Sequence, residues 1–183
     1  DVLLGMFDYH LQGVDTQSYY SDLAKKLEEA LPTVEKYHSL FEFYHALALV
    51  LADKADLGIR LKKAYDSKDL STMKAISEEV IPRLLKNLQT MHMVREELWM
   101  KDAKPFGYEL LDIKLGGIAT RLKGCQRRIN SYLQGNLSHL EELEQERLPY
   151  WEAEANYPHS QELPLRENLW NRIISGCDLI DTI

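Results

Sequence analysis

The sequence predicts an all-α fold: an antiparallel bundle of about four long helices, a short extra helix, and an irregular C-terminal tail that could be extended. Three observations carry that expectation. Apolar residues recur three and four positions apart over long stretches, the spacing of a helix that buries one side. The composition, 45% hydrophobic and 28% charged with nine glycines in 183 residues, fits a helical domain large enough to bury a core. The sharpest break, Lys104-Pro105-Phe106-Gly107, joins two long helical patterns through so short a link that they must lie antiparallel.

Residues 1–14, DVLLGMFDYHLQGV, read as a connector from a preceding domain, because they are apolar and aromatic but too short to fold alone. The chain begins at Asp1, as a piece of something longer would. The bundle is expected over residues 15–147. A first helix starts at Gln17 or Ser18, runs through Leu23, Ala24, Leu27 and Leu31, and ends at Pro32. Pro32 then suits the first turn of the next helix, where a missing N–H costs nothing. The second helix is read as continuous, with a seam at Val34, Tyr37, Phe41, Tyr44, Ala48, Leu51, Ala55, Gly58 and Tyr65, and Lys62 as its exception. Asp66-Ser67-Lys68-Asp69 breaks the chain.

A third helix follows from Leu70 to about Ala103, burying Met73, Ile76, Val80, Leu84, Met91, Val94 and Leu98, with a kink expected at Pro82. The residue before Pro105 is pushed out of helical geometry, so the helix stops there. The fourth helix runs from about Glu109 to Gln134 with Leu111, Leu115, Ile118, Leu122, Cys125, Ile129 and Tyr132 on its buried side, and Gly135 as its left-handed cap. Gly116-Gly117 in its middle wastes helix propensity unless a ring packs very close, and Trp99 and Phe106 are the expected rings. Gly117→Leu is then expected to overpack the contact. Ser138 with Glu141 resembles a capping box for a short acidic helix to about Arg147. Residues 148–183 are expected to be an aromatic-rich loop and tail packed on the bundle.

A formal net charge of −7 argues against nonspecific binding to nucleic acid or to an anionic membrane. No apolar run approaches the roughly 18 residues of a membrane span. Cys125 and Cys177 form no CxxC and read as reduced thiols, consistent with a cytoplasmic protein. Two Glu-x-x-His pairs, Glu35 with His38 and Glu42 with His45, resemble the ligands of carboxylate-bridged di-iron bundles. Those sites draw one pair from each of two helices. Here both pairs lie on one helix, roughly 10 Å apart by helical rise and off its seam, so they read as a solvated face. His10 either reaches into a neighbouring domain's cleft or is a structural histidine, and His92 reads as a half-buried ring near Met91. Lys114, Arg121, Lys123, Arg127 and Arg128 make the fourth helix basic, which intramolecular pairing explains. Adjacent glutamates such as Glu78-Glu79 point about 100° apart and do not face one substrate together. No phosphate loop, nucleophile elbow or zinc pattern occurs, and no cofactor or metal is expected.

The run from Trp99 to Gly117, WMKDAKPFGYELLDIKLGG, resembles the C-terminal helical region of bacterial glycoside hydrolase family 20, the β-N-acetylhexosaminidases. Similarity extends to Asp1–His10, Lys54–Leu61 and Glu141–Glu144 in the same order. The resemblance implies an upstream TIM barrel in the same polypeptide. There an adjacent Asp-Glu pair positions the substrate's 2-acetamido group as nucleophile and supplies the general acid/base. No Asp in this chain is followed by Glu, so no catalytic residue carries over. The implied role is a noncatalytic domain that packs on the barrel, lines the rim of its active site or mediates a homodimer. The other reading is an independent helical interaction module. Pro105 and Gly107 at the bend, Gly116 and Gly117 beyond it, and His10 are the structural or interface candidates, together with the aromatics Trp99, Phe106, Tyr150, Trp151 and Trp170, each of which could instead be core.

Overall fold

The computed structural model describes residues 8–145, without the side chain of His10. The expectations for residues 1–7 and 146–183, including those for Tyr150, Trp151 and Trp170, lie outside the described residues. Among the described residues every regular element is helical. They are α1 (Asp8–Leu11), α2 (Thr16–Ala30), α3 (His38–Lys54), α4 (Leu57–Asp66), α5 (Leu70–Ala75), α6 (Ile81–Asp102), α7 (Glu109–Leu133) and α8 (Glu141–Glu144). No helix among them is long and apolar enough to cross a membrane.

α2, α3, α6 and α7 lie side by side in that order, while α4 and α5 close the end of the bundle opposite the Pro105 bend. The Asp15 carboxylate caps α2 by accepting the Ser18 N–H at 2.9 Å, so the helix begins at Thr16, slightly before the expected start. Leu31–Thr33 forms a 3-10 turn that absorbs Pro32.

The single second helix is not what forms. It splits into α3 and α4 around Ala55-Asp56, where Asp56 leaves helical geometry at φ −113° and ψ 8°. Arg60 holds the break together, donating to the Asp56 carboxylate and to the Asp53 carbonyl, both at 2.8 Å. The predicted seam fails in part as well. Tyr37 and Tyr44 are 54% and 49% exposed, while Ala46, Val50, Leu57, Leu61 and Ala64 are buried. α3 is sandwiched between α2 and α6. Small residues permit that double contact, and the two bulkier tyrosines stay on the exposed side.

Pro82 brings a second departure. A π-helical turn, Ile76–Val80, precedes it, with the Ile81 N–H bonded to the Ile76 carbonyl five residues back. Widening the turn accommodates a ring that has no N–H to give and crowds the carbonyl one turn earlier. The extra residue advances the buried face, so Ile81 is fully buried in place of Val80, followed by Leu84, Leu88 and Met91.

α7 follows the expected stripe, with Leu122, Cys125 and Ile129 buried. It ends in a Schellman motif: Gly135 has φ +76°, its N–H reaches the Tyr132 carbonyl, and the Asn136 N–H reaches Ser131. The capping box at Ser138 does not form, since α8 has no side-chain cap and the Ser138 hydroxyl meets His139 Nδ1. Burial positions this turn instead. Leu140 and Leu143 are fully buried, the Lys62 ammonium donates to the Leu143 carbonyl, and the Tyr65 hydroxyl accepts the Leu140 N–H and donates to Glu144.

Candidate functional site

The residues nominated by sequence converge at the α6–α7 bend. The Ala103 N–H still bonds to the Trp99 carbonyl, but its own backbone is already extended at φ −135°, one residue before Lys104, the position that Pro105 constrains. The chain then reverses in one turn, closed by the Tyr108 N–H on the Pro105 carbonyl at 3.2 Å. Gly107 sits at φ +99°, a conformation that side chains resist, and a Cβ there would lie 3.8 Å from the Trp99 ring. Its N–H donates to Glu109 at 2.8 Å.

Trp99 is half-buried and braces the turn by donating its indole N–H to the Lys104 carbonyl at 2.7 Å. The Arg95 guanidinium lies over both Trp99 and Phe43, 5.3 and 5.4 Å from their ring centres, and ties the bend to α3. Lys101 reaches Ser39 across the same junction. Beneath the turn Tyr108 is 3% exposed, stacks on His92 at 5.9 Å and donates its hydroxyl proton to the His92 carbonyl at 3.0 Å. Burial, with Glu96 and Asp112 nearby, holds its phenol above the usual value. The His92 ring is half-buried, as expected, and meets Asp112 at 2.7 Å.

Trp99, Pro105 and Gly107 therefore come together at the bend. Phe106 packs on none of them; it is 87% exposed at the tip. Gly116 and Gly117 lie further along α7, and a Cβ at either meets nothing within 4 Å. The expected ring against the glycine pair is absent from the described residues, and so is a neighbour for Gly117→Leu to push away. Gly116 lines an open cleft between α6 and α7 with Leu85, Gln89 and His92, and Gly117 lies exposed beside it. His10 falls in α1, with its side chain outside the description.

Sequence reading missed three groups. Tyr108 looks like one more aromatic in a loop, and only the folded turn puts it underneath. Asp53 is 4% exposed on α3 and accepts two bonds from Arg83 of α6, at 2.6 and 2.9 Å. Asp8 is 4% exposed in α1, and its charge acts on Lys54, whose ammonium is disfavoured chiefly by burial. An alternation slip in the apolar pattern at Asp53 is the one signal that could have flagged it.

Chemically the described surface is plain. His38 comes no nearer than 4.0 Å to Glu42, and among the described residues no three His, Cys, Asp or Glu side chains are placed to hold a metal ion. Arg128 pairs with Glu142 at 2.8 Å, as expected for the basic helix. Burial pushes the Cys125 thiol up to about 12, which makes it a poor nucleophile. No curated protein matches the chain. A family model for the Glycoside Hydrolase 20C C-terminal domain matches residues 1–162, so the chain belongs to that family.

Proposed function

We propose that this chain is the noncatalytic C-terminal helical domain of a β-N-acetylhexosaminidase and packs beside the catalytic barrel of the same polypeptide. In this reading residues 1–14 are the connector, 15–147 the bundle and 148–183 the appended tail. The barrel removes a terminal β-linked N-acetylhexosamine, with the substrate's own acetamido oxygen as nucleophile. The helices contribute no reacting group. They give the barrel a fixed flank.

The observation that carries this reading is the family match over residues 1–162, which includes every described element. The docking of α1 supports it. Asp8 is buried and its charge acts on Lys54, so the first described turn is seated on the helices.

Hydrolysis of a chromogenic N-acetyl-β-glucosaminide, assayed on the full-length protein and on residues 1–183 alone, tests the proposal. Turnover is expected from the full-length protein only. Turnover by the 183-residue piece would refute the noncatalytic assignment. An upstream coding sequence without a barrel and its Asp-Glu pair would break the hydrolase link and leave an independent interaction module.

A further inference from the structure

An open cleft of about 790 Å³ lies between α1, α4 and the end of α8, lined by Tyr9 and Gln12 from α1 and its following turn, Ile59 and Lys63 from α4, and Gln145. Its volume is in the range of pockets that bury a small organic molecule, so it has room for a pair of aromatic side chains. Its chemistry is mixed. Tyr9 is 40% exposed and Ile59 half-buried, while Lys63 stands exposed beside them. Lys62, in the same cleft, is already committed to Asp66 and to the Leu143 carbonyl. Apolar surface next to an exposed cation suits an aromatic ring followed by a carboxylate.

α1 is the element that such an occupant would hold. It has four residues, a single turn, which backbone hydrogen bonds alone do not sustain in water. Asp8 seats one side of that turn, and Tyr9 and Gln12 border the cleft on the other.

The chain carries a matching segment to this place. α8 ends at Glu144, and Gln145 is extended at φ −70° and ψ 144° where it lines the cleft. Tyr150, Trp151 and Glu152 follow within seven residues. Six residues of extended chain reach about 20 Å. The α4 wall, from Ile59 to Ser67, is about 12 Å long by helical rise, so every part of the cleft is within range of Trp151. The family match continues to residue 162, which places this segment in the same domain as the cleft.

We infer that Tyr150-Trp151-Glu152 docks in the cleft between α1 and α4, rings against Tyr9 and Ile59 and carboxylate at Lys63, and straps the entry turn to the bundle. The docking does not depend on the hydrolase reading. Two measurements on the full-length protein test it. With Lys63→Cys and Glu152→Cys together, mild oxidation should form an intramolecular disulfide, identified by mass spectrometry of the linked peptides. Lys86→Cys with Glu152→Cys, which probes the α6–α7 cleft instead, should not form one. Separately, Trp151→Ala should speed amide hydrogen exchange across residues 9–12 at least about 10-fold and leave α6 unchanged. Failure of the Lys63–Glu152 link, a link to Lys86→Cys, or unchanged exchange in α1 would overturn the inference. In the first and third cases the cleft is covered by another domain or a second copy, or stays open. If Trp151→Ala loosens α6 as well, the cross-link alone decides. Neither measurement reads hydrolase turnover, so either reading can fail alone.

Discussion

Replacing Arg83 with Leu should show how α3 and α6 are locked together. Asp53 offers a carboxylate whose side chain is 6% exposed, and Arg83, 52% exposed, approaches it from solvent with two bonds. Leu keeps the apolar stem of the arginine and removes only the guanidinium. The Asp53 carboxylate then loses both bonds from α6, while Arg60 stays on the Asp53 carbonyl. Bonds to a charged group are worth about 1.5–3 kcal/mol each, and breaking a fully buried pair costs about 3–5 kcal/mol. The half-exposed arginine implies that water can reach part of the carboxylate once it is gone, so about 2–3 kcal/mol is expected. For a chain of this size that lowers the melting midpoint by about 4–12 °C. Urea denaturation followed by far-UV circular dichroism measures the change, with the Asp53→Leu/Arg83→Leu double variant as the control. Removing both charges should recover most of the loss, because an apolar pair needs no partner. Arg83→Leu within about 0.5 kcal/mol of wild type, or a double variant no better than the single one, would refute the view that pairing the buried charge is what matters.

Three further outcomes are expected. Gly116→Ala should raise stability by up to about 1 kcal/mol, since its Cβ enters open space and the helix gains propensity; a lower melting midpoint would show a contact there. Gly107→Ala should lower stability by about 1–2 kcal/mol, because φ +99° strains any side chain although the new methyl makes only an ordinary contact with Trp99; an unchanged unfolding free energy would show that the turn can relax. The Asp69 carboxylate is held below 3.8 by the hydroxyl and N–H of Thr72, so its cap is fully present above that value and is lost as pH falls through the lowered one. The melting difference between wild type and Asp69→Ala should therefore shrink on acidification from neutral pH, and a constant difference would assign the effect to something other than the charge.

Much of the fold is legible in the sequence because helix faces are local. Leu122, Cys125 and Ile129 occupy the predicted face of α7, and Pro105 and Gly135 end their helices where backbone sterics require. The failures share one cause. Stepping three and four residues along a chain assumes an unbroken helix, and a break at Ala55-Asp56 or one extra residue before Pro82 changes which side chains point inward. At the bend, Pro105 and Gly107 were legible as turn residues, whereas the seating of Tyr108 and the bracing of Trp99 by Lys104 were not. Those contacts depend on which side of the reversed chain each ring meets.

By itself, then, the sequence determined an all-helical chain, its principal stops, the buried stripe of α7 and the kinship with a hydrolase's companion domain, since each follows from local spacing or from a run of consecutive residues. Only the tertiary structure decided that Gly116 and Gly117 face open space, that Phe106 stands out at the tip and that Asp53 needs Arg83. The physical reason is that burial belongs to pairs of helices: a side chain's environment is set by what lies across from it, often fifty residues away, and no periodicity along one helix records that.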